Sequence, residues 1–214
     1  MNKVCILSDF DGTITVEDGL YSFFVQYASS KWREIEYLWT NHKIGSKECL
    51  YREFACVPNL NEKLICDYTK SVKIDSSFNE FFNVIQKKGI DFFIVSDGAD
   101  YFIKKILSNN GINNINIISN HLEFENDKFI LSFPNDFSNC ATDAGTCKCK
   151  VISKMKEKYD KVIYIGDGIS DFCAAKKADI LFAKKKLINY CKEQNINYIE
   201  FQSFKDIENS IFSI

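Results

Sequence analysis

Apolar positions along the chain follow two periods. Val4-Cys5-Ile6-Leu7 is a short apolar run that stops at Ser8-Asp9, the pattern of a buried strand. Similar runs recur at residues 91–95, 115–119, 161–165, 179–183 and 198–201. Between them the apolar residues fall at helical spacing. This predicts helices over residues 77–88 (ended by Gly89), 101–109 (closed by Gly111), 150–158, 171–177 and 187–193, and a last short one from Phe204. Strands alternating with helices imply an α/β fold with a doubly wound, mainly parallel, Rossmann-like sheet. Residues 121–133 alternate around Asn126-Asp127, which predicts a hairpin.

Residues 16–75 break this rhythm. Tyr21, Phe24, Val25 and Ala28 share one side of a predicted helix, and Trp32, Ile35, Leu38 and Trp39 continue at a similar period. Ser46 reads as the N-cap of a helix through Phe54, which Pro58 stops, and Asn61 as the cap of another through Thr69. The stretch is too long for one crossover helix. It predicts a helical cap over residues 16–75, inserted into a core formed by residues 1–15 and 76–214.

Composition narrows the function classes. A chain of 214 residues can fold around its own core, and a net charge of −2 gives no general affinity for nucleic acid. No apolar stretch is long enough to span a membrane. The apolar run after Lys3 is short and ends at Asp9, so no signal peptide is expected. Nine cysteines, mostly single and in apolar or helical patterns, suit a reduced, cytoplasmic protein. Cys140, Cys147 and Cys149 fall in one loop, where they can stay free, form a disulfide, or bind zinc with His121 as fourth ligand.

The candidate chemistry lies at strand ends. Asp9 and Asp11 stand two apart, just past the first strand, and Gly12 lets the backbone turn. Two close carboxylates need a proton or a cation between them, and Mg²⁺ is the oxygen-seeking choice. One can attack phosphorus while the other moves a proton. Asp-x-Asp-Gly is also ordinary turn and calcium-loop chemistry. Ser96-Asp97-Gly98 at the tip of a second strand can hold a phosphate oxygen or be a plain turn. Lys150 can neutralise a phosphate or be one of many surface lysines. Gly166-Asp167-Gly168-Ile169-Ser170-Asp171 puts two acids four apart after a third strand. Asp167 can complete a magnesium site with Asp9, or Asp171 can simply favour a helix start.

Taken in order, these four stretches resemble the four motifs of the haloacid dehalogenase superfamily of aspartate-nucleophile phosphatases, over Val4 to Ala183. The placement of the cap resembles the phosphoserine-phosphatase-like branch. The hairpin near His121, the stretch ending at Cys149-Lys150 and the tail from Cys191 resemble its methionine-salvage phosphatases. The resemblance implies a phosphomonoesterase acting on a small phosphorylated metabolite, with no nucleic-acid or membrane partner. It makes Asp9 the nucleophile and Asp11 the general acid and base. It makes Asp9, Asp11 (through its backbone carbonyl) and Asp167 the Mg²⁺ ligands, with Asp171 supporting the metal site. Thr13 supports the loop, Ser96 and Lys150 hold phosphate with the neighbouring Asp97 and Gly98, and Asp18 and Arg52 are candidates for the rest of the substrate. Phosphoserine, phosphocholine, phosphoethanolamine and pyridoxal phosphate are the competing esters. A phosphotransferase, or a non-catalytic metal- or partner-binding module on the same fold, are the competing functions.

Overall fold

The structure, a computed structural model, describes residues 3–126, 128–137 and 139–211. In chain order its elements are β1 (Val4–Ser8), α1 (Gly19–Tyr27), α2 (Trp32–Thr40), α3 (Ser46–Ala55), α4 (Glu62–Thr69), α5 (Phe78–Lys87), β2 (Asp91–Ala99) and α6 (Asp100–Asn109). Then follow β3 (Asn116–Glu125), β4 (Lys128–Ser132), α7 (Lys148–Met155), β5 (Lys161–Gly166), a 3-10 turn (Ile169–Asp171), α8 (Phe172–Ala175), β6 (Ile180–Ala183), α9 (Lys186–Glu193), β7 (Ile199–Glu200) and α10 (Phe204–Ile211). The sheet order is β4-β3-β2-β1-β5-β6-β7, parallel except for β4 at one edge. The chain reverses direction across the sheet between β1 and β5, so their C-terminal ends flank the crevice where such sheets take ligands.

Strand β1 is buried on both faces, which is why it reads as an unbroken apolar run. Ile6 faces a layer built by α5, α6 and α10, where Phe78, Phe81, Phe82 and Phe204 pack around Phe92. Cys5 and Leu7 face the opposite layer of α7, α8 and α9. Each wholly buried Phe contributes roughly 1.5–3 kcal/mol, so these layers fix the strand tips firmly.

Helices α1–α4 bury a third apolar cluster that also reaches Ala99, Phe102 and Leu122. The buried face of α1 is Leu20, Phe23 and Phe24, whereas Tyr21 and Val25 are 47% and 46% exposed, so the expected stripe is turned by one position. Asn61 caps α4 as expected, its Oδ1 accepting from Leu64 N at 2.9 Å. Ser46 is the first helical residue of α3 rather than its cap.

Strand β2 runs on through Ser96-Asp97-Gly98 to Ala99, with a register shift against β3 after Val95. The predicted strand at 115–119 and the first arm of the hairpin are one strand, β3. Asn126 begins the turn at φ 48°, and Asp127 lies outside the described residues. Among the described residues, no helix is long and apolar enough to cross a membrane.

Candidate active site

Asp9 leaves the end of β1 with its N–H donated to Ile165 O of β5 at 2.9 Å. The chain then winds tightly, and Thr13, Ile14 and Thr15 all donate backbone N–H to Phe10 O. Gly12 makes the turn at φ +75°, and a Cβ there would lie 2.5 Å from Asp167 Oδ2. Only glycine meets both conditions without strain. Asp11 Oδ1 accepts from the N–H groups of Gly19 and Leu20 at 3.0 and 3.4 Å, at the start of α1. A Cβ on Gly98 would come within 3.1 Å of Asp11 Oδ2, so the β2 tip presses on this carboxyl.

Asp167 and Asp171 follow β5. Thr13 Oγ1 donates to Asp167 Oδ1 at 3.1 Å, and Lys185 lies 3.1 Å from Oδ2. Asp171, fully buried, has all its lone pairs directed: Oδ1 accepts from Lys148 and the Tyr164 hydroxyl, Oδ2 from the N–H groups of Asp167 and Gly168. It is a fixed negative post, not an open ligand.

The site lysine is Lys148, not Lys150. Its Nζ is 2.6 Å from Asp9 Oδ1, 2.7 Å from Asp171 Oδ1 and 2.9 Å from Ser170 Oγ. Its side chain is 1% exposed, whereas Lys150 points to solvent. Helix α7 starts two residues before the predicted boundary, which puts Lys148 on the same face as Val151 and Ile152. The signal was available: 148, 151, 152 and 155 are spaced i, i+3, i+4, i+7, and 150 is off that face.

Burial drives the electrostatics. It pulls the Lys148 ammonium down, but Asp171 and Asp9 more than compensate and hold it charged, above its usual value. Asp9 is pushed well above the ordinary carboxyl range by burial, against the pull of Lys148 and with Asp171 and Asp167 adding to the push. Asp167 is also raised, by burial and then by Asp171. Lys148 and Lys185 offset only part of the charge of three clustered carboxylates, which leaves room for a further cation. Asp11 is pushed up to about 8, by burial first and the Asp18 charge second, with the N–H groups of Gly19 and Leu20 opposing. It can therefore hold a proton at neutral pH.

Asp9, Asp11 and Asp167 open into a cavity of about 570 Å³ walled on one side by α1, α2 and α3. Ser96 lines it, with its Oγ accepting from Gly98 N at 2.9 Å. Asp97 also lines it, but its carboxylate is turned to Ser46, Thr146 N and Asn120, which makes it a joint between segments rather than a phosphate ligand. Thr13 is buried behind Asp167 and does not reach the cavity. Asp18 lines the cavity and caps α1, accepting from Tyr21 N at 2.9 Å. Arg52 pairs with Glu48 at 2.9 Å on the outer side of α3 and does not line the cavity. Three further residues at the site carry no motif in the sequence. Lys185 Nζ reaches both Asp167 and Gly12 O, and Glu53 of α3 lines the cavity beside Glu36 of α2.

Carboxylate oxygens of Asp9, Asp167 and Asp171 lie within 4.8 Å of one another, those of Asp171 already taken by Lys148, Tyr164 and two backbone N–H groups. All-oxygen donors with a shared surplus of negative charge fit a hard divalent cation such as Mg²⁺. The cysteine loop gives a different result. All nine cysteines are unpaired, and Cys147 and Cys149 place their Sγ atoms 3.5 Å apart. His121 turns its two ring nitrogens to Asp100 at 2.9 Å and Glu123 at 3.4 Å, and among the described residues it forms no metal-holding group with the loop cysteines.

Sheet, switch point and acid–lysine site together define a phosphatase of the haloacid dehalogenase-like fold. The chain belongs to the putative phosphatase family, whose model matches residues 4–205. It is 32% identical over 211 residues to the 2-hydroxy-3-keto-5-methylthiopentenyl-1-phosphate phosphatase of Bacillus cereus, covering 98% of this chain and 96% of that one. The enzyme of the same name from Bacillus velezensis is 32% identical over 179 residues, 83% of this chain and 76% of the relative. Among solved structures, a phosphoserine phosphohydrolase-like protein from Francisella tularensis superimposes with a TM-score of 0.72 at 23% identity, over 99% of this chain and 100% of the other. A phosphoserine phosphatase carrying a phospho-aspartyl intermediate analogue gives 0.72 at 17% identity, over 98% and 99%.

Proposed function

We propose that the protein is a Mg²⁺-dependent, cytoplasmic hydrolase of a small phosphomonoester, working through an aspartyl-phosphate on Asp9. The observation that carries this reading is Lys148, buried between Asp9 and Asp171, behind a cavity that Asp9, Asp11 and Asp167 line. Asp9 and Asp167, with the Asp11 carbonyl, would hold the metal, and Asp171 would keep Lys148 and the Asp167 backbone in place. Bound there, magnesium supplies positive charge for the phosphoryl oxygens. Lys148 aims Asp9 and, together with that added positive charge, would offset the burial that favours its protonated form, and Ser96 with the Gly98 region receives a phosphate oxygen. An Asp9 oxygen forms a bond to phosphorus as the ester P–O bond breaks, and Asp11 gives its proton to the leaving oxygen. Water then loses a proton to Asp11 and attacks phosphorus, and the Asp9 carboxylate leaves with free phosphate as the other product.

The ester in the relatives' printed name, 2-hydroxy-3-keto-5-methylthiopentenyl-1-phosphate, is the first candidate on similarity. Phosphocholine, phosphoethanolamine and pyridoxal phosphate are the alternatives. Phosphoserine is a further alternative, and Lys185 and Lys186 are the cations lining the cavity that can pair with its carboxylate.

The test is phosphate release from these esters with Mg²⁺, with EDTA, and with Asp9→Asn. Turnover that needs Mg²⁺ and vanishes in the variant is expected. Turnover by Asp9→Asn, or turnover indifferent to EDTA, would overturn the assignment.

A further inference from the structure

Lys148 stands between two cysteines that touch. Cys147 and Cys149 place their Sγ atoms 3.5 Å apart at the start of α7. Two other thiols border this pair: Cys140, in the loop before α7, acts on Cys147, and Cys173, in α8, acts on Cys149. Free thiols thus form a row beside the lysine that holds Asp9 and Asp171. The row is not gathered for a metal ion. Zinc takes its sulfurs around one point, and among the described residues no three of these thiols bring their sulfurs within 4.8 Å of one another.

The thiols differ in access and acidity. Cys147 is wholly buried, and burial pushes its thiol up to about 12, so it keeps its proton. Cys140 is half-buried. Its Sγ accepts from Ala144 N at 3.4 Å and lies 3.5 Å from Thr142 Oγ1. Burial pushes this thiol up, but the Thr142 hydroxyl and the N–H groups of Ala144 and Thr142 outweigh it and hold it below its usual value. A half-exposed thiol that favours its thiolate is the one an oxidant attacks first.

We propose that this row is a redox site: hydrogen peroxide oxidises Cys140, Cys147 resolves it as a disulfide, and the disulfide shuts off the active site by drawing Lys148 out of place.

Atoms and electrons balance in two steps. The Cys140 thiolate attacks the peroxide, an S–O bond forms as the O–O bond breaks, and hydroxide leaves to become water. The Cys147 sulfur then attacks the sulfenic sulfur. The S–S bond forms as the S–O bond breaks, and the departing hydroxide takes the Cys147 proton as a second water. Cys149 can accept the bond by exchange, its thiolate attacking Cys147 Sγ as the Cys140 thiolate leaves. Either disulfide contains Cys147. That residue caps α7, and its O accepts from the N–H groups of Lys150 and Val151, both at 3.0 Å. Disulfide sulfurs stand about 2.05 Å apart, so closing the bond turns the first turn of the helix and Lys148 with it. A shift of about 1 Å in a positioning group can cost on the order of a hundredfold in rate.

The effect on rate rests on the phosphatase reading, and labelling of Lys148 separates the two. The full chain is treated with hydrogen peroxide, then alkylated and mapped by mass spectrometry. A disulfide from Cys147 to Cys140 or Cys149 should appear, phosphate release should fall about tenfold or more, and dithiothreitol should restore it. Acetic anhydride should spare Lys148 in the reduced protein and acetylate it in the oxidised one. Cys147→Ser, which exchanges only sulfur for oxygen at a helix cap, should keep both its rate and its Lys148 protection after peroxide. A disulfide without Cys147, a disulfide that leaves rate and labelling unchanged, or equal inactivation of Cys147→Ser would overturn the redox site. Zinc carried by the protein as isolated and released on oxidation would replace it with a metal site. Should Cys147→Ser fail to fold, Cys140→Ser, which removes the entry thiol, takes its place with the same expectations. If the reduced protein releases phosphate from no ester, the hydrolase reading falls and Lys148 labelling alone decides: acetylation on oxidation upholds the redox site, and continued protection ends it.

Discussion

Lys148 Nζ lies 2.7 Å from Asp171 Oδ1, with the two side chains 1% and 0% exposed. Such a pair is held by its partners, since either charge alone would be stranded in the interior. Lys148→Met should therefore abolish phosphate release and lower stability by about 3–5 kcal/mol, read by urea titration. Lys150→Met should behave like the unaltered protein. The reverse pattern would restore Lys150 to the site.

Asp18 keeps the Asp11 proton in place by repulsion, second only to burial. With Asp11 near 8, kcat should show an alkaline limb close to pH 8. Asp18→Asn preserves the α1 cap and removes the charge. Its limb should move to lower pH in a pH–rate profile, and an unmoved limb would exclude Asp18 from tuning Asp11.

Gly12→Ala places a methyl 2.5 Å from Asp167 Oδ2 at a positive φ. Asp167 must then shift from Thr13. Half-maximal activation should need about 10–100-fold more Mg²⁺, as when a group that orients a metal ligand is lost. Unchanged activation by Mg²⁺ would mean that Asp167 is not a ligand.

Asp11 and Glu53 are pushed up to about 8 and about 9. Unfolded carboxyls shed their protons near pH 4. Between these limits the folded protein holds more protons than the unfolded chain. The stabilisation is full below about pH 4 and is lost as pH rises through 8 and 9. The Tm of the metal-free protein should fall from neutral pH to about pH 9, and Glu53→Gln should fall less steeply. Equal slopes would mean that Glu53 holds no such proton.

What was legible in the sequence was local. Asp9, Asp11, Asp167 and Asp171 sit at strand tips, and the strands announce themselves by apolar runs, so acid, turn and position are read together. Lys148 was missed by two residues because Lys148 and Lys150 alternate with Cys147 and Cys149, and a late helix boundary put the wrong one on the buried face. Asp97 looked like part of a phosphate loop, yet its partners Ser46, Asn120 and Thr146 come from segments far apart in the chain. Glu36 and Glu53 carried no signal at all. Each is an ordinary helical acid until α2 packs on α3.

The two ends of the cavity are built from different material. The acids and lysine at one end stand on strand tips and on α7, packed from both sides, while Glu36, Cys49 and Glu53 stand on two short helices. Those three positions line the cavity from helices that carry none of the strand-tip acids, so a change there leaves the bond-breaking residues where they are. Such a scaffold can be retargeted by a few substitutions, in descent or at the bench, without first losing its reaction.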